Sequence, residues 1–186
     1  IDYSETIKKC SGLDIARAGL DEIKAKLDKL KIAYKDYEQK GRLLDLLWKT
    51  CRKSIAGPVF LVNHPVLVSP LAKRQIDNPE LTERYQIIIA GSELGNGYSE
   101  LNDPLDQFER FEQQARLRAA GDEEAVMGDL DFVEALEHGL PPTTGFGLSE
   151  RVFAFFENKP MRDCVLFPLV KPISVETAPG KSEPGE

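Results

Sequence analysis

Helical periodicity at both ends of the chain and a β-hairpin in its middle predict an α+β fold. Residues 12–33 place Leu20, Ile23, Leu27 and Leu30 three or four apart, on one face of a helix, with lysines and acids opposite. Arg84–Ala90 (RYQIIIA) is rich in β-branched residues, and the following Gly91–Ser92 reads as a tight turn into a second strand over Glu93–Leu101.

The other elements follow in order. Residues 42–54 read as a helix with Leu43, Leu44, Leu47, Trp48 and Cys51 as its apolar stripe, stopped by Gly57–Pro58. Val59–Val62 is a short apolar strand between that stop and Asn63-His64-Pro65. Asp103–Pro104 opens a helix expected to turn Leu105, Phe108, Phe111, Ala115 and Ala119 inward, with Gly121 at its end. A shorter helix spans Leu130–Glu137, before Gly139. Thr143–Gly147 is an extended Gly-rich segment, and a helix over residues 149–156 carries Arg151. The stretch after Pro172, rich in Pro, Gly and Glu, reads as a flexible tail.

Composition bounds the function. The 186 residues hold 24 basic and 31 acidic side chains, so the net charge is 24 − 31 = −7. That balance argues against a stand-alone nucleic-acid-binding module. No apolar run approaches the roughly 20 residues of a membrane span, and no signal peptide is recognisable, so no membrane partner is expected. The absence of an initiator Met at Ile1 suggests that the true start lies elsewhere. Cys10, Cys51 and Cys164 are odd in number and contain no C-x-x-C pair, which predicts unpaired thiols in a reducing compartment. Two histidines, His64 and His138, are too few for a His-rich zinc site.

The most unusual stretch is Glu93–Asp103, ELGNGYSELND. In a strand, alternation puts Asn96, Tyr98 and Glu100 on one face and Gly95 and Gly97 on the other. Amide, phenol and carboxylate opposite glycines make a poor core and a reasonable polar pocket floor. A buried Glu100 needs a cation, either a substrate ammonium or a neighbouring Arg or Lys. A second cluster, Gly145-Phe146-Gly147-Leu148-Ser149-Glu150-Arg151, suits a phosphate or a planar base. It is neither a Walker loop nor a dinucleotide fingerprint.

Together with PLAK (70–73), NPELTER (78–84), RAAGDEEA (118–125), ALEHGLPP (135–142) and VLFPLVKP (165–172), these blocks resemble the class II lysyl-tRNA synthetases. The resemblance is to the C-terminal part of the catalytic domain and is strong over residues 58–172. It implies a helical segment over 1–57, the C-terminal half of the catalytic domain over 58–172 and a tail over 173–186. It also implies the family's antiparallel β-sheet flanked by helices.

By the same resemblance, lysine is activated by ATP with Mg2+ and transferred to tRNA(Lys) in the cytoplasm. Glu100 receives the lysine ε-ammonium, Asn96 and Tyr98 line the pocket, and Gly145 and Gly147 allow close approach of lysine and adenine. Glu93 coordinates magnesium, and Arg151 contacts ATP as the catalytic arginine. Three departures stand out. The family's dimer motif, its ATP-gripping motif and its anticodon-binding barrel are not recognisable in residues 1–57. Gln86 stands where a second metal-binding Glu is common. GFGLSER is one residue short of the usual motif, about 100° of helical rotation. Such a chain is expected to be inactive without an N-terminal half, and to need that half or a homodimer partner to cover exposed sheet. The alternatives are a non-catalytic synthetase-like binding module and a lysyl ligase acting on a protein such as elongation factor P.

Overall fold

The computed structural model describes residues 1–36, 38–123 and 125–169. The expected tail over 173–186 lies outside them. The chain divides into two compact units, Ile1–Ser149 and a second beginning at Glu150.

In the first unit, helices α1 (Tyr3–Ser11), α2 (Leu20–Lys29) and α3 (Lys40–Cys51) precede strand β1 (Val59–Val62). Strands β2 (Arg84–Ile89) and β3 (Ser92–Ser99) form the expected hairpin. Helices α4 (Pro104–Ala119) and α5 (Leu130–Glu137) come next, and β4 (Thr144–Leu148) closes the sheet. The second unit holds α6 (Arg151–Phe156) and a 3-10 turn over Met161–Asp163. The sheet is antiparallel throughout, in the order β1-β2-β3-β4.

The core is built on α3. Leu43, Leu44, Leu47, Trp48 and Cys51 are all buried, as their spacing predicts, together with Tyr3 and Ile7 of α1, Ile23 and Leu27 of α2, and Leu61 and Ile88 of the sheet. Leu61 and Ile88 mark the covered face of the sheet. Directly opposed residues share a face, so Val59, Gln86, Asn96 and Glu93 lie on that side too. The other face carries Phe60, Tyr85, Ile87 and Phe146, joined by ring contacts of 5.7 Å (Phe60–Tyr85) and 6.0 Å (Tyr85–Phe146). The β2–β3 register slips by one residue between Ile87 and Ile88, so Leu94 is an extra residue in β3.

Several expectations are corrected. The single helix over 12–33 is a shorter α2 preceded by α1. Asp2 caps α1, accepting a hydrogen bond from the Glu5 backbone N–H at 2.9 Å, and Gly12 ends it with φ 79°. Gly19 starts α2, its N–H donating to the Glu22 carboxylate at 2.9 Å. Leu30, counted on the buried stripe, is 40% exposed.

The α4 stripe also differs. Gln107, Arg110 and Phe111 are buried there, while Leu105, Phe108, Ala115 and Ala119 are exposed. A buried arginine is tolerable because its donors are satisfied. Arg110 donates through Nε and Nη2 to the Asp106 carboxylate at 2.9 and 2.7 Å, and through Nη1 to the Ser69 and Ala72 carbonyls at 3.1 and 2.8 Å. Arg74 donates to the same carboxylate at 2.9 and 3.1 Å. Burial raises the Asp106 pKa, but the hydrogen bonds from Arg110 and Arg74 outweigh it and bring it down to about 2.

The hairpin turns at Ala90–Gly91, one residue earlier than expected, with φ of 49° and 70°. Two successive positive φ values match the right-handed strand twist. The thiols are not all unpaired. Cys10 of α1 and Cys51 of α3 form a disulfide with a Cα–Cα distance of 5.7 Å, and Cys164 is free. Helix packing brings together residues 41 apart in sequence, which spacing rules cannot foresee. Among the described residues, no helix is long and apolar enough to cross a membrane.

Candidate active site

Strand β3 brings the predicted pocket residues together on the covered face. Asn96 lies between Gln86 of β2 and Gly147 of β4, and Tyr98 between Arg84 and Gly145. Glu100 follows one residue after the strand. Its backbone N–H donates to the Thr143 carbonyl at 2.9 Å, and it forms an isolated bridge with Ala72. The Arg110 bonds to Ser69 and Ala72 therefore anchor α4 to the rim of this region.

The Glu100 carboxylate stands over Gly145. A Cβ built on Gly145 would lie 2.5 Å from Glu100 Oε1, so a side chain there would displace the carboxylate. Gly147 meets only the Asn96 carbonyl oxygen, at 3.9 Å. Burial alone raises the Glu100 pKa above the ordinary carboxylate value. Among the described residues no Lys or Arg pairs with it. A cation placed beside such a carboxylate would favour its charged form. The Tyr98 phenol is shifted upward by burial first and by the Glu100 charge second, with Arg84 opposing.

Arg84, at the start of β2, organises the other end of the group. Its Nε donates to Asn96 Oδ1 at 2.9 Å, and its Nη1 donates to the Val68 carbonyl at 2.7 Å and to Ser69 Oγ at 2.9 Å. Burial lowers its pKa, and Glu93 is the nearest charge in effect among those that oppose the shift.

Glu93 lies opposite Ile88 and pairs with Arg52 at 3.7 Å. Among the described residues no group of three His, Cys, Asp or Glu could hold a metal ion by itself. Magnesium is commonly held by one or two carboxylates together with substrate phosphates. Glu93, half-exposed and paired with Arg52, is the one carboxylate of this end of β3, so an ion held there would need further ligands such as substrate phosphates. Gln86 does not face solvent: it is buried, with its Oε1 3.2 Å from His64 Nε2. Arg151 is the first residue of α6, is exposed, and belongs to the second unit.

Asn96, Tyr98, Glu100, Gly145 and Gly147, expected from the sequence to line one pocket, lie together around β3 and β4, and Arg84 and Arg52 stand beside the group without having been expected there. Arg84 is the one charged residue of β2 and opens the strand. Arg52 carried no signal, because its link to Glu93 depends on how the turn after α3 meets the sheet. A groove of about 640 Å³ is lined by residues such as Lys40, Asp45, Leu67 and Leu117 and includes none of the pocket residues.

The model of the class II tRNA synthetases (D, K and N) matches residues 1–171. Similar curated proteins include the lysine–tRNA ligase of Thermosipho africanus, 44% identical over 95% of this chain and 37% of its own length. The lysine–tRNA ligase of Thermotoga sp. strain RQ2 is 42% identical over 96% of this chain and 36% of its own. That of Porphyromonas gingivalis is 41% identical over 92% and 30%. The chain thus spans about a third of the length of the relatives it matches.

Proposed function

The chain belongs to the class II tRNA synthetases of the D, K and N group, and from that premise we propose that β3 and β4 carry the lysine-binding part of an ATP-dependent lysine–tRNA ligase. The observation that carries this reading is Glu100: a carboxylate raised by burial, without a cation among the described residues, seated over a glycine. It supplies the one strong electrostatic contact that a lysine ε-ammonium requires. Names of the relatives support the same substrate.

The protein's own groups divide the work. Glu100 binds the ammonium, Tyr98 flanks it, and Asn96 contacts the amino acid nearer Arg84. The bound lysine carboxylate attacks the α-phosphorus of ATP; a carboxylate–phosphorus bond forms and pyrophosphate leaves. A terminal hydroxyl of tRNA(Lys) then attacks the activated carbonyl, and AMP leaves. Neither step uses a protein nucleophile, so rate depends on positioning and charge neutralisation. Magnesium, when bound with ATP, neutralises phosphate charge, and Glu93 is the residue that would hold it. Arg151 is assigned to ATP as the arginine of the Gly-rich motif. The ATP-gripping partner motif and tRNA contacts are assigned to sequence other than residues 58–172, in the same protein or a homodimer partner.

The test is Glu100→Gln in the intact protein, with lysine binding followed by calorimetry. Loss of measurable lysine affinity with the fold retained is expected, because the ammonium loses its charged partner. Unchanged affinity would overturn the assignment.

A further inference from the structure

Arg84 is not among the residues to which lysine binding is assigned, yet it makes more hydrogen bonds around this pocket than any of them. It donates to Asn96 Oδ1, the Val68 carbonyl and Ser69 Oγ. Ser69 is itself held, since its carbonyl accepts from the buried Arg110. A relay therefore runs from α4 through Ser69 and Arg84 to the floor of the pocket.

An arginine has only donors. The amide of Asn96 must therefore turn its oxygen toward Arg84, which decides an orientation that an amide otherwise leaves open. Its nitrogen is then the group left for a ligand. We propose that Arg84 is a positioning residue: it locks Asn96 as a hydrogen-bond donor, so that the pocket selects an amino acid presenting an acceptor at this end and an ammonium at Glu100. This deepens the lysine reading and rests on it. Asn96 and Glu100 lie on one strand face four residues apart, so the pocket is donor at one end and anionic at the other.

A purely structural Arg84 would tie β2 to Val68 and Ser69 and nothing more. Arg84→Gln set against Arg84→Lys separates the two roles, and Asn96→Asp tests the donor itself. It keeps an oxygen facing Arg84 and adds charge pairing, but it removes the donor. In lysine-dependent ATP–pyrophosphate exchange by the intact protein, Asn96→Asp is expected to raise KM for lysine roughly tenfold or more, the size of one charge-assisted hydrogen bond. KM for ATP and the thermal midpoint should stay near wild type. Arg84→Gln should raise KM for lysine as well, because glutamine can donate or accept and frees the amide to turn. Arg84→Lys, again donor-only, should lie nearer wild type. Should Arg84→Gln not fold, Asn96→Asp and Arg84→Lys still decide. An unchanged lysine KM in Arg84→Gln, or a loss in Arg84→Lys as large as in Arg84→Gln, overturns this inference alone, and an unchanged lysine KM in Asn96→Asp overturns it together with the Asn96 contact. No lysine-dependent exchange by the wild-type protein overturns both it and the lysine reading.

Discussion

On one face of the sheet Leu61, Gln86 and Ile88 are buried beneath the helical layer; on the other, Phe60, Phe146 and Leu148 are 59%, 56% and 58% exposed. The covered face is the more polar of the two where it meets β3, with Asn96, Tyr98 and the nearby Glu100. The exposed face is the more apolar. This is the reverse of what a simple inside–outside rule gives. It follows if the covered side must leave polar groups available to a ligand, while the open side awaits a cover. Burial of polar groups is costly unless each finds a partner, and Arg84 and Gln86 have theirs. Glu100 does not, among the described residues, and that exception is where binding is assigned.

The comparison breaks first at its core. Leu61→Ala should cost about 2–5 kcal/mol, the range for truncating a buried leucine. Phe60→Ala, its neighbour on the open face, should cost below about 1 kcal/mol. Urea denaturation measures both, and equal costs would mean that the open face is covered in solution.

The covered face should also respond to acid. Burial holds the His64 pKa down to about 4, against an ordinary 6.5. As pH falls from 6.5 toward 4, the unfolded chain takes up a proton that the folded chain refuses, so stability falls over that window by about 3 kcal/mol. Below it, Asp106 acts in the same direction. Its pKa is lowered from 3.8 to about 2, so the stability it lends above 3.8 is lost as pH drops toward 2. Unfolding curves at pH 7, 5 and 4 test the first window, and His64→Gln should flatten it.

The smallest effects lie on the glycines. Gly145→Ala should displace only the flexible end of Glu100, leaving the thermal midpoint nearly unchanged while lysine affinity falls roughly tenfold. Gly97→Ala should do the opposite. Its Cβ would meet the Tyr85 ring at 2.7 Å and the Gly145 carbonyl oxygen at 2.9 Å, neither of which yields easily. Stability should fall by about 1–3 kcal/mol. Thermal melts and lysine calorimetry on the two variants separate pocket from packing.

Local signals made much of this legible. Gly57–Pro58 directly before β1, the β-branched run that forms β2 and the Asp103–Pro104 start of α4 each lie in or beside the element they mark, so strands, hairpin and α4 could be read directly. The polar face of β3 followed from alternation. What escaped was decided by contacts distant in sequence. Helix α1 was missed although Asp2 and Glu5 have capping-box spacing, because its buried face has only Tyr3 and Ile7 as large apolar residues. The inward face of α4 was misread because Arg110 behaves as a core residue only once Asp106, Ser69 and Ala72 surround it. Arg84 and Arg52 owe their roles to partners that no window around them contains.

The extra residue in β3 settles a question of parity. Glu93 and Asn96 are three residues apart, an odd interval, and strict alternation would send them to opposite sides of the sheet. The slip at Leu94 absorbs one residue, so both arrive on the same side. A regular ladder that paired Leu94 with Ile88 would turn Glu93 away from Asn96 and Glu100. The irregular strand is therefore the one that keeps Glu93 on the side of the sheet that Asn96 occupies.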